Sequence, residues 1–370
     1  MNPTEQTFAV GIIGCGSISQ AYFTACKRFP FLRVSACADL NLAAAEAKAQ
    51  EHGCRALSVE ALLADPEIAI VVNLTIPRAH AEIDLRILAA GKHVFSEKPF
   101  ALTRAEGEAV VAAAASAGLR VGCAPDTCLG AAVQTARKVI DDGEIGTPLS
   151  FQANMICGGH EHWHPSPEFY YQRGGGPLFD MGPYYLHALI TLLGPVKRVA
   201  GLTRISFPSR TITSAPKRGT VVAVEVPTHI VSLLEFHNGV IGQLTTSFDV
   251  KHGHASPNIE IYGSAGSLSV PDPNGTGGIP KLKTAKFADW VSLRHTHPYA
   301  EGSRGVGVAD MARAIAQGRP HRANGAIALH ALDIMQAIHE SSDECRHILL
   351  TTTCERPEAM RGDLPDWVLE

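Results

Sequence analysis

The stretch Val10-Gly11-Ile12-Ile13-Gly14-Cys15-Gly16-Ser17-Ile18-Ser19 decides how the chain is read. The apolar run from Phe8 to Ile13 predicts a buried strand. It stops at Gly14-Cys15-Gly16, and a helical stretch follows from about Ile18 to Phe29. Strand, tight glycine turn and helix, in that order, suit a dinucleotide pyrophosphate. Gly14 permits the turn. Gly16 has no Cβ, so the backbone can approach a phosphate. Ser17 and Ile18 open the helix N-terminus, with its free N–H groups and positive dipole end. Ser19 stands where the usual fingerprint has its third glycine. A lone G-x-G selects weakly, so the reading depends on the rest of the chain.

Leu32 to Ala38 reads as a second strand ending in Asp39, which lies 25 residues after Gly14. That is near the roughly 20-residue spacing of a ribose-binding carboxylate. A carboxylate there accepts from the adenosine hydroxyls and repels a 2′-phosphate. Leu40 and Asn41 follow it, not arginine, so NAD is expected over NADP. The competing reading is that Asp39 only caps a helix over 42–52. Ile68 to Ile76 is a continuous apolar run typical of a central parallel strand. A helix from Ala79 to Ala90 stops at Gly91. His93 to Pro99 is the next strand, and Thr103 with Glu106 forms a capping box for the helix that follows. Alternating strands and helices give a doubly wound parallel sheet, a Rossmann-type domain over 1–127. Ligands bind beyond the carboxyl ends of such strands, where Thr75, Pro77 and Glu97-Lys98-Pro99 fall. Lys98 is either a cation for a developing alkoxide or an ordinary surface lysine.

The chain has 370 residues, which suits about two domains. A formal charge of −4 without a basic block argues against nucleic acid. No apolar run approaches the roughly 18 residues of a membrane span. Met1 to Thr7 has no leader pattern, so the cytoplasm is the expected location. The 9 cysteines are scattered with no C-x-x-C pair, as expected of reduced thiols.

Four motifs then point to one family. They are G-I-I-G-C-G-x-I (Gly11–Ile18), T-x-P-x-x-H (Thr75–His80), G-K-H-V-x-x-E-K-P (Gly91–Pro99) and G-G-G-x-L-x-D-x-G (Gly174–Gly182). In this order they resemble the glucose–fructose oxidoreductase / inositol dehydrogenase / rhizopine-catabolism (Gfo/Idh/MocA) family, from about residue 8 to 347. The resemblance implies a second α/β domain, here 128–350, with a large open mixed sheet; the run of strands after Val196 reads as mostly antiparallel, and 351–370 reads as a polar tail. The resemblance further implies NAD(P)-dependent hydride transfer at a hydroxyl or carbonyl of a sugar, cyclitol or related polyol. Lys98 would contact the reacting hydroxyl and the nicotinamide ribose, in a Lys98–Pro99 peptide often cis. Glu97 and His80 belong to the cofactor motifs. Asp180 would position substrate. Many relatives have a histidine acid/base where this chain has Tyr184, an arrangement resembling branches in which a tyrosine serves. His187, one turn on, is the alternative proton carrier.

Leu129 to Asp142 reads as a crossover helix. The run Gly158-Gly-His160-Glu-His162-Trp163-His164 is unusual. On an extended segment its histidines would share one face, which raises a metal site, but a substrate loop is the expected reading and no metal is assigned. Trp163 and His164 are candidate substrate contacts. Trp163 either stacks on a ring or packs under its loop. A helix is expected to begin near Asp180, with Tyr185 as packing. Strands follow from Val196, including Val222–Val226, and His237-Asn238-Gly239 is a hairpin turn. His295, His297 and Tyr299 lie in a later loop; they either reach substrate or are simply solvated, the usual state of loop histidines. The resemblance also implies a homodimer or homotetramer formed through the outer sheet face. Two rival readings stand beside the dehydrogenase: a glycoside-cleaving enzyme using transient oxidation, and a non-catalytic dinucleotide-responsive regulator. The loops 157–173 and 290–304 carry no code for the substrate.

Overall fold

The computed structural model describes residues 6–302 and 304–370. Residues 1–5 of the stretch read for a leader, and residue 303 of the second specificity loop, lie outside the described residues. Contacts group the chain into two units. The first comprises residues up to Ala131, Thr296–Leu329 and Pro357–Glu370; the second comprises Ala132–His295 and His330–Arg356. Both are discontinuous, unlike the contiguous division drawn from sequence.

In the first unit, β1 (Phe8–Ile13), β2 (Leu32–Ala38), β3 (Arg55–Ala56), β4 (Ile68–Asn73), β5 (His93–Ser96) and β6 (Val121–Cys123) form a parallel sheet. Its order is β3-β2-β1-β4-β5-β6. β1 is buried along its whole length, as a strand covered on both faces must be. The intervening helices are α1 (Ser19–Arg28), α2 (Leu42–His52), α3 (Val59–Ala64), α4 (His80–Ala89) and α5 (Arg104–Ala117). The Thr103–Glu106 capping box is present in full. The strand order reverses between β1 and β4, and Gly14, Thr75 and Glu97-Lys98 all follow carboxyl ends at or beside that reversal.

The stretch expected to be a polar tail is packed instead. Met360 and Leu369 are buried, and Trp367 lies 5.4 Å from Phe29 and 5.7 Å from Tyr299 between ring centroids. Arg322 donates to the carbonyls of Glu358 and Ala359 and pairs with Asp310 at 2.6 Å. The later-loop residues, read as solvated or in reach of substrate, are engaged here as well. Tyr299 is buried and donates to the Val368 carbonyl at 2.8 Å, and His297 Nε2 meets the Met360 carbonyl at 2.9 Å.

The second unit opens with α6 (Ala131–Asp141) and β7 (Pro148–Ile156). It continues with α7 (Gly176–Leu193), β8 (Val196–Arg204), β9 (Ser209–Thr211), β10 (Val221–Ala223), β11 (His229–Phe236) and β12 (Ile241–Ser247). Four more strands follow: β13 (Ile259–Gly263), β14 (Gly266–Val270), β15 (Lys281–Thr284) and β16 (Val291–Ser292). Then come α8 (Val306–Gln317) in the first unit, α9 (Gly325–Glu344) and β17 (Ile348–Leu349). Nine strands form one sheet in the order β16-β15-β14-β13-β7-β12-β11-β8-β17. Only β7 and β12 pair in parallel; the other neighbours are antiparallel. α7 packs on β7, β11 and β12, strands in which Phe151, Leu234 and Leu244 are buried.

Three local expectations change. The strand expected at Val222–Val226 is β10, which pairs with β9 in a separate two-stranded ribbon. His295 Nε2 meets the Gly278 carbonyl at 2.6 Å, so it too has a structural partner. α7 starts at Gly176, four residues before Asp180, because Pro177 suits a first turn that needs no N–H.

Candidate functional site

The dinucleotide turn is fixed by its backbone. Gly14 has φ +101°, and a Cβ there would lie 2.5 Å from the Leu74 carbonyl oxygen. Only glycine fits. A Cβ on Gly16 would meet nothing within 4 Å, so that backbone is open to an approaching group. Ser19 is fully buried and donates to the Gly16 carbonyl at 2.6 Å, so the residue in the third glycine position closes the turn with its hydroxyl. Asp39 is half-buried. It accepts from the Cys15 N–H and the Asn41 N–H, each at 2.8 Å, and so ties the end of β2 to the turn. Its side chain does not cap α2, whose N-cap residue is Asn41. Ser17 is exposed and Ile18 half-buried ahead of α1. An open glycine and an acid at the end of β2 are the parts a dinucleotide requires, so these residues fit NAD.

Beyond β4 and β5 the named residues hold one another. Asn73 Oδ1 accepts from the Thr75 hydroxyl at 2.7 Å, and Asn73 Nδ2 donates to the His80 carbonyl at 3.1 Å. The His80 ring is buried between two carbonyl oxygens, Pro99 at 2.7 Å from Nδ1 and Thr75 at 2.9 Å from Nε2. Burial pushes its pKa down against the pull of those carbonyls. Pro77 opens the short 3₁₀ turn that precedes α4. Glu97 is buried and accepts from the Tyr22 phenol and from the Lys98 N–H, both at 2.9 Å. Lys98 is half-buried, and the Lys98–Pro99 peptide is cis, as the resemblance implies. His80 and Glu97 thus brace, from beneath, the turn that presents Lys98.

In the second unit, Asp180, Tyr184 and His187 follow one another at four and three residues along α7. That spacing puts them on one stripe of the helix. Tyr184 and His187 are buried and Asp180 is partly exposed. Tyr185 points away as packing: its hydroxyl donates to the Asn154 carbonyl at 3.2 Å and accepts from Asn258 at 3.1 Å.

The histidine-rich loop is a turn, not an extended segment. The Trp163 and His164 N–H groups donate back to the His160 carbonyl at 3.4 and 3.1 Å. The three histidines therefore do not share a face: His160 turns inward, His162 is exposed and His164 is half-buried. Among the described residues no group of three or more His, Cys, Asp or Glu side chains is arranged to hold a metal. His160 Nε2 lies 3.7 Å from Asp180 Oδ2. Trp163 is largely exposed and its indole N–H donates to His160 Nδ1 at 3.2 Å.

Glu161 anchors this turn. Its carboxylate takes Arg210 at 2.8 Å and the Tyr171 hydroxyl, while its carbonyl accepts from the Thr213 and Ser214 N–H groups. Arg210 is buried and also pairs with Asp249. Burial opposes the Glu161 charge, but Tyr171 and Arg210 outweigh it and hold the carboxyl below its ordinary range. Neither the role of His160 beside Asp180 nor that of Arg210 is legible in the sequence, whose only signal is the density of polar rings between Gly158 and His164.

Two family descriptions match this chain. "Oxidoreductase family, NAD-binding Rossmann fold" matches residues 8–124, and "GFO/IDH/MocA C-terminal domain" matches residues 133–269. The chain belongs to the Gfo/Idh/MocA family. Among its relatives, a levoglucosan dehydrogenase of Pseudarthrobacter phenanthrenivorans is 26% identical over 331 residues, spanning 80% of this chain and 83% of that protein. An inositol 2-dehydrogenase of Rhizobium meliloti is 26% identical over 350 residues, spanning 92% and 99%. A levoglucosan dehydrogenase solved with NADH and L-sorbose superposes with a TM-score of 0.80 at 24% identity, covering 94% of this chain and all of that one. The first unit of this Gfo/Idh/MocA member is thus its NAD-binding domain, and the chain is an oxidoreductase. These matches do not favour the glycoside-cleaving and regulator readings.

Proposed function

We propose that the protein moves hydride between NAD and a carbinol or carbonyl carbon of a sugar, cyclitol or related polyol. The observation that carries this reading is the stripe Asp180, Tyr184 and His187 on α7, in a chain whose other unit builds the dinucleotide turn. Relatives named for levoglucosan and inositol support the substrate class. Gly14, Gly16, Ser17 and Ile18 hold the pyrophosphate, and Asp39 holds the ribose hydroxyls and disfavours a 2′-phosphate. Thr75, Pro77, His80 and Glu97 shape the cofactor crevice. When bound, the nicotinamide ring accepts or supplies the hydride. Lys98 holds the reacting hydroxyl and the nicotinamide ribose. Tyr184 Oη takes or returns the hydroxyl proton, with His187 as the alternative carrier. Asp180 accepts from a neighbouring hydroxyl, and Trp163 and His164 line the substrate. The test is a panel of levoglucosan, myo-inositol, D-xylose and 1,5-anhydro-D-fructose with NAD(H) and NADP(H), following absorbance of the reduced cofactor. Turnover with NAD(H) is expected; no turnover of any sugar or polyol with either cofactor overturns the reading.

The nine free thiols support a reducing, cytoplasmic location, which fractionation of the native host checks. We also propose a homodimer or homotetramer through the open face of the large sheet. There Leu202, Val231, Leu233, Ile241 and Leu349 are exposed on one side of four adjoining strands. So contiguous an apolar surface calls for a covering partner. Light scattering behind size exclusion decides it: a monomer at micromolar concentration rejects this assembly.

A further inference from the structure

We propose that His160 is a positioning residue for Asp180, directing its Nε2–H at the Asp180 carboxylate in a tautomer selected by Trp163; this rests on the sugar-oxidoreductase reading above. An indole N–H only donates. The Trp163 contact at 3.2 Å therefore makes His160 Nδ1 the acceptor. In the neutral ring the proton then sits on Nε2. That atom is buried, lacks a hydrogen-bond partner among the described residues, and faces Asp180 Oδ2 at 3.7 Å. At 3.7 Å the pair is within ion-pair reach and stands about 0.5 Å beyond a hydrogen bond. Such contacts tighten when substrate occupies a site.

The ring cannot wander far. It lies 4.2 Å from Tyr170 and 4.5 Å from Phe248, centroid to centroid, and the next residue is Glu161, clamped by Arg210 and Tyr171. A donor directed at a carboxylate keeps it ionised and turned one way. Asp180 is thereby held as an acceptor for a substrate hydroxyl. The other titratable groups around the pair are Cys157, Glu161, His164 and Tyr171 on the loop side, Arg210 behind it, and Tyr184 and His187 on α7.

His160→Phe keeps the aromatic packing and removes the donor, while His160→Gln restores an N–H. Both are assayed with whichever sugar or polyol of the panel above the wild type turns over best. His160→Phe should lose about ten- to a hundredfold in kcat/KM, the weight of one hydrogen bond to a charged group. Its acid limb should move to higher pH, because the Asp180 carboxylate has lost a donor. His160→Gln should recover part of the rate and of the limb. A rate loss with an unmoved limb and no rescue makes His160 merely structural and overturns the proposal. If the wild type turns over nothing in the panel, the reading of function fails, and nitrogen-15 NMR of histidine-labelled protein still decides the pairing. The proposal requires an Nε2–H tautomer for the signal lost in His160→Phe, and a displaced Nε2 resonance of that ring in Asp180→Asn. An Nδ1–H tautomer, or an unmoved Nε2 resonance, rejects it.

Discussion

The Gly14–Gly16 turn and the His160 turn present functional groups by different means. In the first unit the chain itself does the work. A strand ends, a glycine at φ +101° turns under the Leu74 carbonyl, and the Ser19 hydroxyl closes the loop within three residues. In the second unit a buried ion cluster does it. Glu161 is held by Arg210, 49 residues away, which also pairs with Asp249. The first arrangement tolerates loss of a side chain better than a change of backbone. The second fails when one charge is removed, because breaking a buried pair leaves an uncompensated ion.

The largest effect should come from chemistry rather than scaffolding. Lys98→Met should lower kcat/KM by about a hundred- to a thousandfold, the usual cost of removing an electrostatic group at a developing alkoxide. NAD should still bind in a fluorescence titration, weakened only by the lost contact to the nicotinamide ribose, because the turn and Asp39 are untouched. Near-normal turnover would remove Lys98 from the mechanism. Arg210→Met comes next. It strands Glu161 and Asp249, and about 3 kcal/mol of stability should be lost in urea unfolding. KM for the sugar or polyol should rise while NAD affinity holds. A variant that binds NAD and substrate alike normally would show that the ion cluster does not position the His160 turn.

Asp39→Ala works on the other arm. It deletes the acceptor for the Cys15 and Asn41 N–H groups as well as the ribose contact. NAD should bind about tenfold more weakly, the weight of a hydrogen bond to a charged group, and the preference over NADP should narrow. Calorimetry with both cofactors measures it; an unchanged ratio of affinities would separate Asp39 from cofactor choice.

The same contrast explains what the sequence discloses. The Rossmann sheet, the turn, the capping box at Thr103 and the order of motifs are local, and period and glycine placement carry them. Asp180 and Tyr184 are legible because the family motif over Gly174–Gly182 and the residues after it marks their positions, and helical spacing adds His187 one turn on. The pair His160–Asp180 is not, because it depends on a turn that folds the alternating histidines apart. Arg210 is hidden for the same reason: its partners lie 49 and 39 residues away. Met360, Trp367 and Leu369 look like scattered apolar residues in a polar tail, and only contacts far along the chain bury them.

Acid titration should divide the two units in sign, through two buried groups outside the proposed chemistry. In the first unit, burial pushes Asp84 up to about 7 from an ordinary 3.8, with Asn73 donating to one oxygen at 2.7 Å. Between those values the folded state holds a proton that the unfolded state releases, so this contribution falls as pH rises from about 4 to about 7. In the second unit, burial pushes His330 down to about 4 from 6.5. The Val196 N–H donates to its Nε2 at 3.0 Å, its Nδ1 meets Thr352 Oγ1 at 3.0 Å, and that hydroxyl donates to Asp333. Here the unfolded state binds the extra proton, so this contribution is lost as pH falls from about 6.5 to about 4. Asp84→Asn keeps the acceptor for Asn73 without the charge. Its stability relative to wild type should therefore improve as pH rises from about 5 to about 8. His330→Gln lowers stability at neutral pH, but its relative loss should shrink on acidification, because the wild type alone gives up the histidine's contribution. Urea midpoints at three pH values decide both. Parallel pH dependence in the wild type and both variants would show that neither group is held as its burial requires.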